Sequence, residues 1–355
     1  MKKRIAFTGG GSAGHVTVNL ALIPHFIQAG WDVAYIGSTT GIERDLIAGI
    51  SGVHYVGISS GKLRRYFDWK NITDPMRVTK GIWQAYRFLH KWKPHVIFSK
   101  GGFVSVPVVM GGWLNRQPVV VHESDVTPGL ANRLSVPFAC KVCVTFPETL
   151  AYIPQDKGVH VGAVVREELK HGRSERGFAF CRFSSTKSVL LVMGGSLGAK
   201  RINEVVRNNL TALLESFQIV HICGKGQVDE TIERSGYRQF EYIQDELPDL
   251  LAMADLVVSR AGSNAIFEFL ALQIPMLLIP LPLAASRGDQ IVNARSFEKQ
   301  GFSQVLLDEE LTDESFSQAV EKLEMNKADM KRRMQQEKGT DALTKVIALL
   351  KESAV

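Results

Sequence analysis

Short apolar runs alternate with segments of helical periodicity along the whole chain. Strands buried inside a parallel sheet have this character, because helices cover both faces of the sheet. Such runs occupy residues 4–8, 32–37, 53–58, 95–99, 119–122 and 141–145 of the first half and residues 188–193, 218–223, 240–243, 256–259, 276–279 and 304–307 of the second. The repeated order of strand, crossover helix and strand predicts an α/β protein with two doubly wound parallel sheets.

A weakly patterned stretch at residues 152–166 separates the two halves. It follows the last predicted strand of the first half and contains proline and glycine, which favour turns. We therefore predict a first domain over residues 1–161 and a second over residues 162–338. Residues 339–355 have apolar side chains at helical spacing, and this helix could pack against either domain.

The length of 355 residues suits two domains, and charge is divided unevenly between them. Residues 1–162 contain 18 Lys and Arg against 9 Asp and Glu, whereas residues 163–355 contain 24 against 27. The basic half indicates an anionic partner, such as nucleic acid, a phosphorylated ligand or a membrane surface. Four cysteines are too few for a disulfide scaffold, and no apolar run reaches the roughly 18–20 residues that span a bilayer. We predict a cytoplasmic protein, or one held peripherally at the cytoplasmic face of the membrane.

A glycine-rich loop, here loop 1, joins the first predicted strand to the first helix. Residues 9–14 fit G-x-G-x-x-G, in which glycines let the backbone approach a ligand and the helix start offers N–H groups. A dinucleotide site also needs an acid at the end of the second strand, yet residues 35–39 contain none, so a nicotinamide or flavin cofactor is not expected. A tight turn explains the glycines well, but it does not explain His15 at the start of the helix.

Two more glycine loops follow predicted strands: loop 2 at residues 100–105 and loop 3 at residues 194–199. Loops at the carboxyl ends of parallel strands line the crevice in which α/β proteins bind ligands. Loop 3 suits a diphosphate, because its backbone N–H groups and the Ser196 hydroxyl lie at a helix start. The P-loop pattern G-x-x-x-x-G-K-[ST] does not occur in the sequence, so phosphate chemistry of that type is not predicted.

Polar side chains at two later helix starts are candidate sugar-binding groups. Glu268 lies early in the helix after strand 256–259, where an acid either complements the helix dipole or binds a ribose. Asp289 and Gln290 open the next helix and are placed to hydrogen-bond sugar hydroxyls.

Motifs from residue 9 to residue 290 resemble, in order, those of the MurG family of glycosyltransferases. The family's G-G-T-G-G-H, G-G-Y-V-S-G-P and G-G-S-x-G-A correspond to residues 10–15, 101–107 and 194–199, at loops 1, 2 and 3. Its H-E-Q-N, G-N-P-V-R and R-S-G-x-x-T-x-x-E correspond to residues 122–125, 162–166 and 260–268. Asp125 stands where the family has an amide, Val106 replaces a glycine, and Val18 replaces a proline.

This resemblance implies a GT-B architecture, in which two Rossmann-like domains face each other across a cleft. It implies inverting transfer of N-acetylglucosamine from UDP-GlcNAc to the MurNAc 4-hydroxyl of lipid I, giving lipid II for peptidoglycan synthesis, cell shape and cell division. The first domain would bind the acceptor and face the membrane, the second would bind UDP-GlcNAc, and the C-terminal helix would return to the first domain. The implied binding residues are Ser12, Ala13, Gly14, Asp125 and Arg166 in the cleft, Ser196 on the diphosphate, the Ile243 backbone on uracil, Glu268 on the ribose with Ser263 in the same motif, and Asp289 and Gln290 on GlcNAc.

A single displacement needs a base for the acceptor hydroxyl, and His15 and Asp125 are the candidates. The ordinary imidazole pKa of about 6.5 suits His15. Either residue could instead be structural, because a His at a helix start often bonds a neighbouring loop and an Asp often caps a helix. No metal or other cofactor is predicted: the sequence has no D-x-D pair, and the lone pair Cys140 and Cys143 suits core thiols better than zinc.

A basic segment with aromatic residues, residues 64–93, is the candidate membrane surface. Its apolar stripe favours packing on the sheet, whereas Trp83 and Trp92 among Lys and Arg suit a surface on anionic lipid. The predicted partners are thus UDP-GlcNAc, lipid I and the anionic inner leaflet. No nucleic acid is expected, because no recognition motif accompanies the charge. The alternatives are another GT-B UDP-sugar enzyme, such as a UDP-GlcNAc 2-epimerase, and a glycosyltransferase with a different lipid acceptor.

Overall fold

The computed structural model describes residues 2–12, 14–61, 70–194, 199–337 and 341–354. These residues form two compact units. Unit 1 comprises the described residues up to Val164 together with residues 341–354, and unit 2 comprises those from Val165 to residue 337. Each unit is built on its own parallel sheet, which confirms the predicted fold class.

The sheet of unit 1 has seven parallel strands in the order β3-β2-β1-β4-β5-β6-β7. The strands are β1 (Arg4–Thr8), β2 (Asp32–Ser38), β3 (Val53–Ile58), β4 (Val96–Ser99), β5 (Val119–Glu123), β6 (Lys141–Val144) and β7 (Gly158–His160). The helices are α1 (Gly14–Gln28), α2 (Ile42–Ala48), α3 (Lys70–Trp92), α4 (Ser105–Leu114) and α5 (Leu130–Ser135), with 3-10 turns at Val136–Phe138 and Pro147–Tyr152. The strand order reverses between β1 and β4, so loops 1 and 2 leave adjacent strands at the switch point, where α/β sheets bind ligands.

Alternate side chains of β1 enter two different buried clusters. Ile5 and Phe7 pack with Phe26 of α1, whereas Ala6 packs on the other face with Leu89 of α3. Successive side chains of a strand point to opposite faces, and helices cover both faces here. The continuous apolarity that marked these strands in the sequence is therefore explained.

The sheet of unit 2 has six parallel strands in the order β10-β9-β8-β11-β12-β13. They are β8 (Val189–Met193), β9 (Gln218–Ile222), β10 (Tyr237–Phe240), β11 (Leu256–Ser259), β12 (Met276–Leu278) and β13 (Ser303–Val305). The helices are α6 (Ser174–Cys181), α7 (Lys200–Asn208), α8 (Leu210–Ser216), α9 (Leu247–Met253), α10 (Ser263–Ala271), α11 (Asp289–Lys299) and α12 (Asp313–Gln336), with 3-10 turns at Glu167–His171 and Asp308–Glu310. The order reverses between β8 and β11, so loop 3 and the segment leading into α10 leave adjacent strands.

Two edge strands differ from the sequence prediction. The strand expected at residues 240–243 is wrong, because β10 lies at Tyr237–Phe240 and its Arg238 and Gln239 interrupt the apolar run. β7 lies within the stretch interpreted as a joint, since its three residues are too few to form an apolar run. Short and polar strands are typical of sheet edges.

The C-terminal helix α13 (Ala342–Ser353) packs on unit 1, where Val346 and Leu350 join the cluster around Phe7. The Asp341 side chain accepts a hydrogen bond from the Thr344 N–H and caps the helix start. Among the described residues, none of the helices is both long enough and apolar enough to cross a membrane.

Candidate functional site

Loop 1 carries His15 into the switch point of unit 1. α1 begins at Gly14, and the His15 N–H donates to the Ser12 carbonyl at 3.2 Å. His15 is half-buried, whereas Ser12 and Gly14 are exposed. Ala13 lies outside the described residues. The loop therefore holds a partly accessible imidazole at its mouth, as a base or a binding group requires.

The glycines of loops 1 and 2 allow close packing between backbones. A methyl group at Gly9 would lie 2.3 Å from the His15 carbonyl oxygen, and one at Gly102 would lie 2.1 Å from the Gly10 carbonyl oxygen. At Gly11, in contrast, a methyl group would meet no atom within 4 Å, although the φ of +85° favours glycine. Loop 2 thus rests directly on loop 1, and Gly11 faces open space.

An acid that the sequence analysis missed lies against loop 1. Glu43 projects from the first turn of α2 and is fully buried. Its carboxylate accepts hydrogen bonds from the Gly11 N–H at 3.1 Å, the Ser38 N–H at 2.9 Å and the Ser38 hydroxyl at 2.6 Å. An acid was expected at the end of β2, whereas Glu43 lies five residues beyond Ser38, in the first turn of α2.

Glu123, at the end of β5, organises the segment that carries Asp125. Its buried carboxylate accepts from the backbone N–H groups of Ser124 at 2.8 Å, Asp125 at 3.0 Å and Gly129 at 2.9 Å, and from Asn132 Nδ2 at 2.8 Å. The Asp125 carbonyl accepts from the Thr149 hydroxyl at 3.1 Å. The Asp125 backbone is therefore fixed on both sides, and its side chain is half-buried.

Lys100, which follows β4, is buried in the same region and donates to the Ser124 hydroxyl. Burial lowers the pKa of Lys100, and burial raises the pKa of Glu123 with a further contribution from the Asp125 charge. Burial also lowers the pKa of His122 well below its ordinary value, aided by the Lys100 charge. The sequence motif pointed to residues 122–125, but it gave no sign that Lys100 lies beneath them.

Arg166 and Glu268, both predicted to bind the substrate, form an ion pair within unit 2. Arg166 Nε donates to Glu268 Oε1 at 2.8 Å and Arg166 Nη2 donates to Oε2 at 3.1 Å, which is the bidentate geometry that guanidinium and carboxylate favour. Burial tends to lower the pKa of Arg166, but the hydrogen bonds and charge of Glu268 outweigh it and raise that pKa. The pair leaves further lone-pair positions of the Glu268 carboxylate for other donors.

The remaining predicted residues of unit 2 lie after the carboxyl ends of its strands. Ser263 is buried at the start of α10, and Ile243 is buried in the segment after β10. Asp289 and Gln290 open α11, as predicted, and the Gln290 side-chain oxygen accepts from the Leu281 N–H at 3.1 Å. Ser196 lies outside the described residues.

Arg260, in the motif that leads into α10, has a structural role. It donates to Asp308 Oδ1 at 2.5 Å and to the carbonyls of Ile279 and Pro280. Its guanidinium therefore ties the end of β11 to the chain that follows β12. Across the described part of the chain, no group of three or more His, Cys, Asp or Glu side chains is placed to hold a metal ion.

Helices α3 and α4 of unit 1 present aromatic and apolar side chains to solvent, here called the α3–α4 surface. Its members are Met76, Trp83, Tyr86, Trp113 and Leu114. The Asn115 side chain donates to the Tyr86 carbonyl at 3.0 Å and so joins the two helices. The Arg87 guanidinium lies 5.5 Å from the centre of the Trp83 ring. Ala85 and Leu89 of the predicted apolar stripe are buried, but Tyr86 of the same stripe is exposed. Trp83 is exposed as expected, whereas Trp92, also expected on this surface, packs partly buried against the core.

Comparisons with known proteins identify the family. The family models of the glycosyltransferase family 28 N-terminal and C-terminal domains match residues 5–144 and 189–347. A relative from Geobacillus thermodenitrificans is 59% identical over 100% of both chains, and one from Geobacillus kaustophilus is 58% identical over 100% of this chain and 99% of the relative. Both are named UDP-N-acetylglucosamine–N-acetylmuramyl-(pentapeptide) pyrophosphoryl-undecaprenol N-acetylglucosamine transferase. The crystal structure of Acinetobacter baumannii MurG superimposes with a TM-score of 0.79 at 25% identity, covering 99% of each chain. The chain therefore belongs to glycosyltransferase family 28, and its fold is that of the GT-B glycosyltransferases.

Proposed function

We propose that this glycosyltransferase transfers N-acetylglucosamine from UDP-GlcNAc to the 4-hydroxyl of MurNAc in lipid I, the undecaprenyl-diphosphate-linked MurNAc-pentapeptide, and thereby makes lipid II for peptidoglycan synthesis. The observation that carries this proposal is the full-length similarity to proteins named for that transfer. The glycine loops at the switch point of unit 1 agree with it, because ligands bind at such positions.

Unit 2 is the proposed donor domain. Ser196 and loop 3 bind the diphosphate, the Ile243 backbone binds uracil, and Glu268 binds the ribose with Ser263 beside it. Arg166 holds both Glu268 oxygens, which supports this role because the carboxylate then keeps one orientation and still has lone pairs to accept from ribose hydroxyls.

Asp289 and Gln290 bind the GlcNAc hydroxyls in this proposal. The Gln290 oxygen already accepts from the Leu281 N–H, so its amide NH₂ is the part that donates to the sugar. Helix starts and backbone N–H groups stabilise the departing diphosphate, and we assign no metal or cofactor to the reaction.

Unit 1 is the proposed acceptor domain, with Ser12, Ala13 and Gly14 of loop 1 as binding groups. Inverting displacement needs a base at the acceptor hydroxyl, and we assign this role to His15 ahead of Asp125. The pH profile of kcat separates them, because its acidic limb should be lost only in the variant that removes the base, His15→Ala or Asp125→Asn. Near-normal turnover by His15→Ala at saturating substrates would refute the assignment, whereas the same result for Asp125→Asn would support it.

The direct test incubates labelled UDP-GlcNAc with a lipid I analogue and identifies the linkage in the product. A β-1,4-linked GlcNAc–MurNAc product is expected. Reaction of UDP-GlcNAc without any acceptor would instead indicate an epimerase. Transfer to another lipid-linked sugar in preference to MurNAc would indicate a different acceptor.

The α3–α4 surface is the proposed contact with the cytoplasmic face of the membrane. Aromatic side chains among basic ones suit the interface of an anionic bilayer, where each Lys or Arg contributes about 1 kcal/mol. Co-sedimentation with phosphatidylglycerol vesicles at low salt should fall for Trp83→Ser. The matched control is Met325→Ser, which removes an exposed apolar side chain from α12 of unit 2. Equal binding of wild type to neutral and anionic vesicles would contradict this contact.

A further inference from the structure

The glycines around loop 1 enclose an internal carboxylate. A methyl group at Gly10 would lie 2.4 Å from Cδ of Glu43, one at Gly41 would lie 2.3 Å from its Oε2, and one at Gly37 would lie 2.9 Å from its Cγ. Three glycines from three positions in the chain therefore make the space that Glu43 fills. At Gly10, the need for glycine is explained by the Glu43 side chain and does not require a ligand.

The Glu43 carboxylate occupies the backbone N–H that a G-x-G-x-x-G loop offers to a bound anion. In G-x-G-x-x-G turns the second glycine is the point at which the backbone approaches a pyrophosphate. Here the second glycine is Gly11, and its N–H donates to Glu43 Oε2. Burial tends to raise the pKa of Glu43, but the Ser38 and Gly11 hydrogen bonds outweigh it and lower that pKa, so the group is ionised at neutral pH.

Other contacts hold the same segment without Glu43. The Tyr35 hydroxyl donates to the Gly9 carbonyl at 2.8 Å, and Asn19 donates to the Thr8 carbonyl at 3.2 Å and to the Tyr35 hydroxyl at 3.1 Å. The backbone before Gly10 is thus anchored by neutral groups. The distinct contribution of Glu43 is a fixed negative charge against Gly11.

We propose that Glu43 determines the acceptor specificity of loop 1: its carboxylate takes the place of a ligand anion, so loop 1 excludes phosphate and binds an uncharged, hydroxyl-bearing part of the acceptor sugar. The exclusion follows from like-charge repulsion at short range in a partly buried site. The claim that loop 1 binds the acceptor sugar rests on the proposed function. The proposal as a whole places the acceptor diphosphate away from Gly11.

The test compares Glu43→Ala and Glu43→Gln with Asp45→Asn. Asp45 is exposed on the same helix, so its variant removes the same charge without touching loop 1. Pyrophosphate binding is measured by calorimetry with saturating UDP, which fills the donor site of unit 2. Glu43→Ala leaves the donors of Gly11 and Ser38 unpaired and should bind pyrophosphate at least tenfold more tightly than wild type. Glu43→Gln keeps the volume and should show a smaller gain.

Kinetics provide the second readout. Glu43→Gln should raise KM for the acceptor at least fivefold and leave KM for UDP-GlcNAc within twofold of wild type, whereas a general loss of folding would lower the active fraction for both substrates alike. The proposal is overturned if both Glu43 variants bind pyrophosphate no more tightly than Asp45→Asn, or if acceptor KM does not change. Pyrophosphate binding is measured without acceptor and so does not depend on the proposed function. If the wild type does not use lipid I as a substrate but Glu43→Ala binds pyrophosphate more tightly, only the proposed function is refuted.

Discussion

Replacing Arg166 by lysine tests whether the Arg166–Glu268 ion pair prepares the nucleotide site. Lysine keeps the positive charge, but it has one ammonium in place of the planar fork and cannot make both contacts at 2.8 and 3.1 Å. Glu268 would then be held through one oxygen and could rotate. If Glu268 binds the ribose, its side chain must give up this rotational freedom when UDP binds. The affinity for UDP therefore falls.

The size of the effect follows from burial. Breaking a fully buried, hydrogen-bonded ion pair costs about 3–5 kcal/mol. The Glu268 side chain is 11% exposed and that of Arg166 is 31% exposed, so solvent screening reduces the value for this pair to about 2–3 kcal/mol. That energy is a loss of folding stability, whereas UDP affinity falls by the cost of ordering the freed Glu268 side chain again, about 1–1.5 kcal/mol or roughly tenfold in the Kd of UDP.

The assay is calorimetric titration of UDP into wild type and Arg166→Lys. Lys170→Ala is the matched control, because it breaks an ion pair with Glu167 whose side chains are 48% and 62% exposed, and such pairs contribute about 0–1 kcal/mol. A Kd within twofold of wild type for Arg166→Lys would refute the positioning role. Tighter UDP binding by Arg166→Lys would also refute the positioning role, since it would mean that Arg166 competes with the ribose for Glu268.

Three further predictions concern groups inside the two units. Glu123→Ala leaves three backbone N–H groups without their acceptor and removes one of the two carboxylate charges near the buried Lys100, so chemical denaturation should show a loss of about 3–5 kcal/mol. Gly10→Ala forces a methyl group against Glu43 and should lower stability by about 1–3 kcal/mol, whereas Gly49→Ala, where a methyl group meets no atom within 4 Å, should stay within about 0.5 kcal/mol of wild type. His221 has its pKa lowered to about 3 by burial and by the Arg207 charge, so the unfolded chain binds a proton that the native protein refuses between pH 6.5 and 3. Its contribution to stability is complete above pH 6.5 and falls by about 1.4 kcal/mol per pH unit below it, and the pH dependence of denaturant unfolding should be shallower for His221→Gln.

The strands of the sheet centres could be predicted from the sequence because both of their faces are covered. β1 and β11, which lie inside the two sheets, begin and end at the expected residues. The edge strands β7 and β10 were missed or misplaced, because β7 has only three residues and β10 contains Arg238 and Gln239. The edge strand β3 is apolar enough to have been predicted with its observed bounds. Hydrophobic patterning therefore detects buried segments. It locates a strand reliably only where that strand is buried.

The candidate site was predictable where one short motif holds its residues and unpredictable where distant segments meet. Asp289 and Gln290 open α11 as the sequence indicated. The partners Arg166 and Glu268 lie 102 positions apart, and their spacing carries no information about contact. Glu43 lies five residues beyond Ser38, outside the position where an acid was expected. It still reaches loop 1 because the first turn of α2 brings its side chain back toward the end of β2.

Glycines in a ligand loop can serve the ligand or the protein, and unit 1 separates the two roles. At Gly9, Gly10 and Gly102 a methyl group would strike the protein itself, so these glycines are required whether or not a ligand binds. Only at Gly11, among these four, is the space open, and its N–H already donates to Glu43. If Glu43 takes the place of a ligand anion at loop 1, as we propose, the excess positive charge of the first half serves a different surface. The α3–α4 surface is the surface we propose for this charge, because the Arg87 guanidinium lies 5.5 Å from the exposed Trp83 ring, and loop 1 is then left for the proposed acceptor sugar.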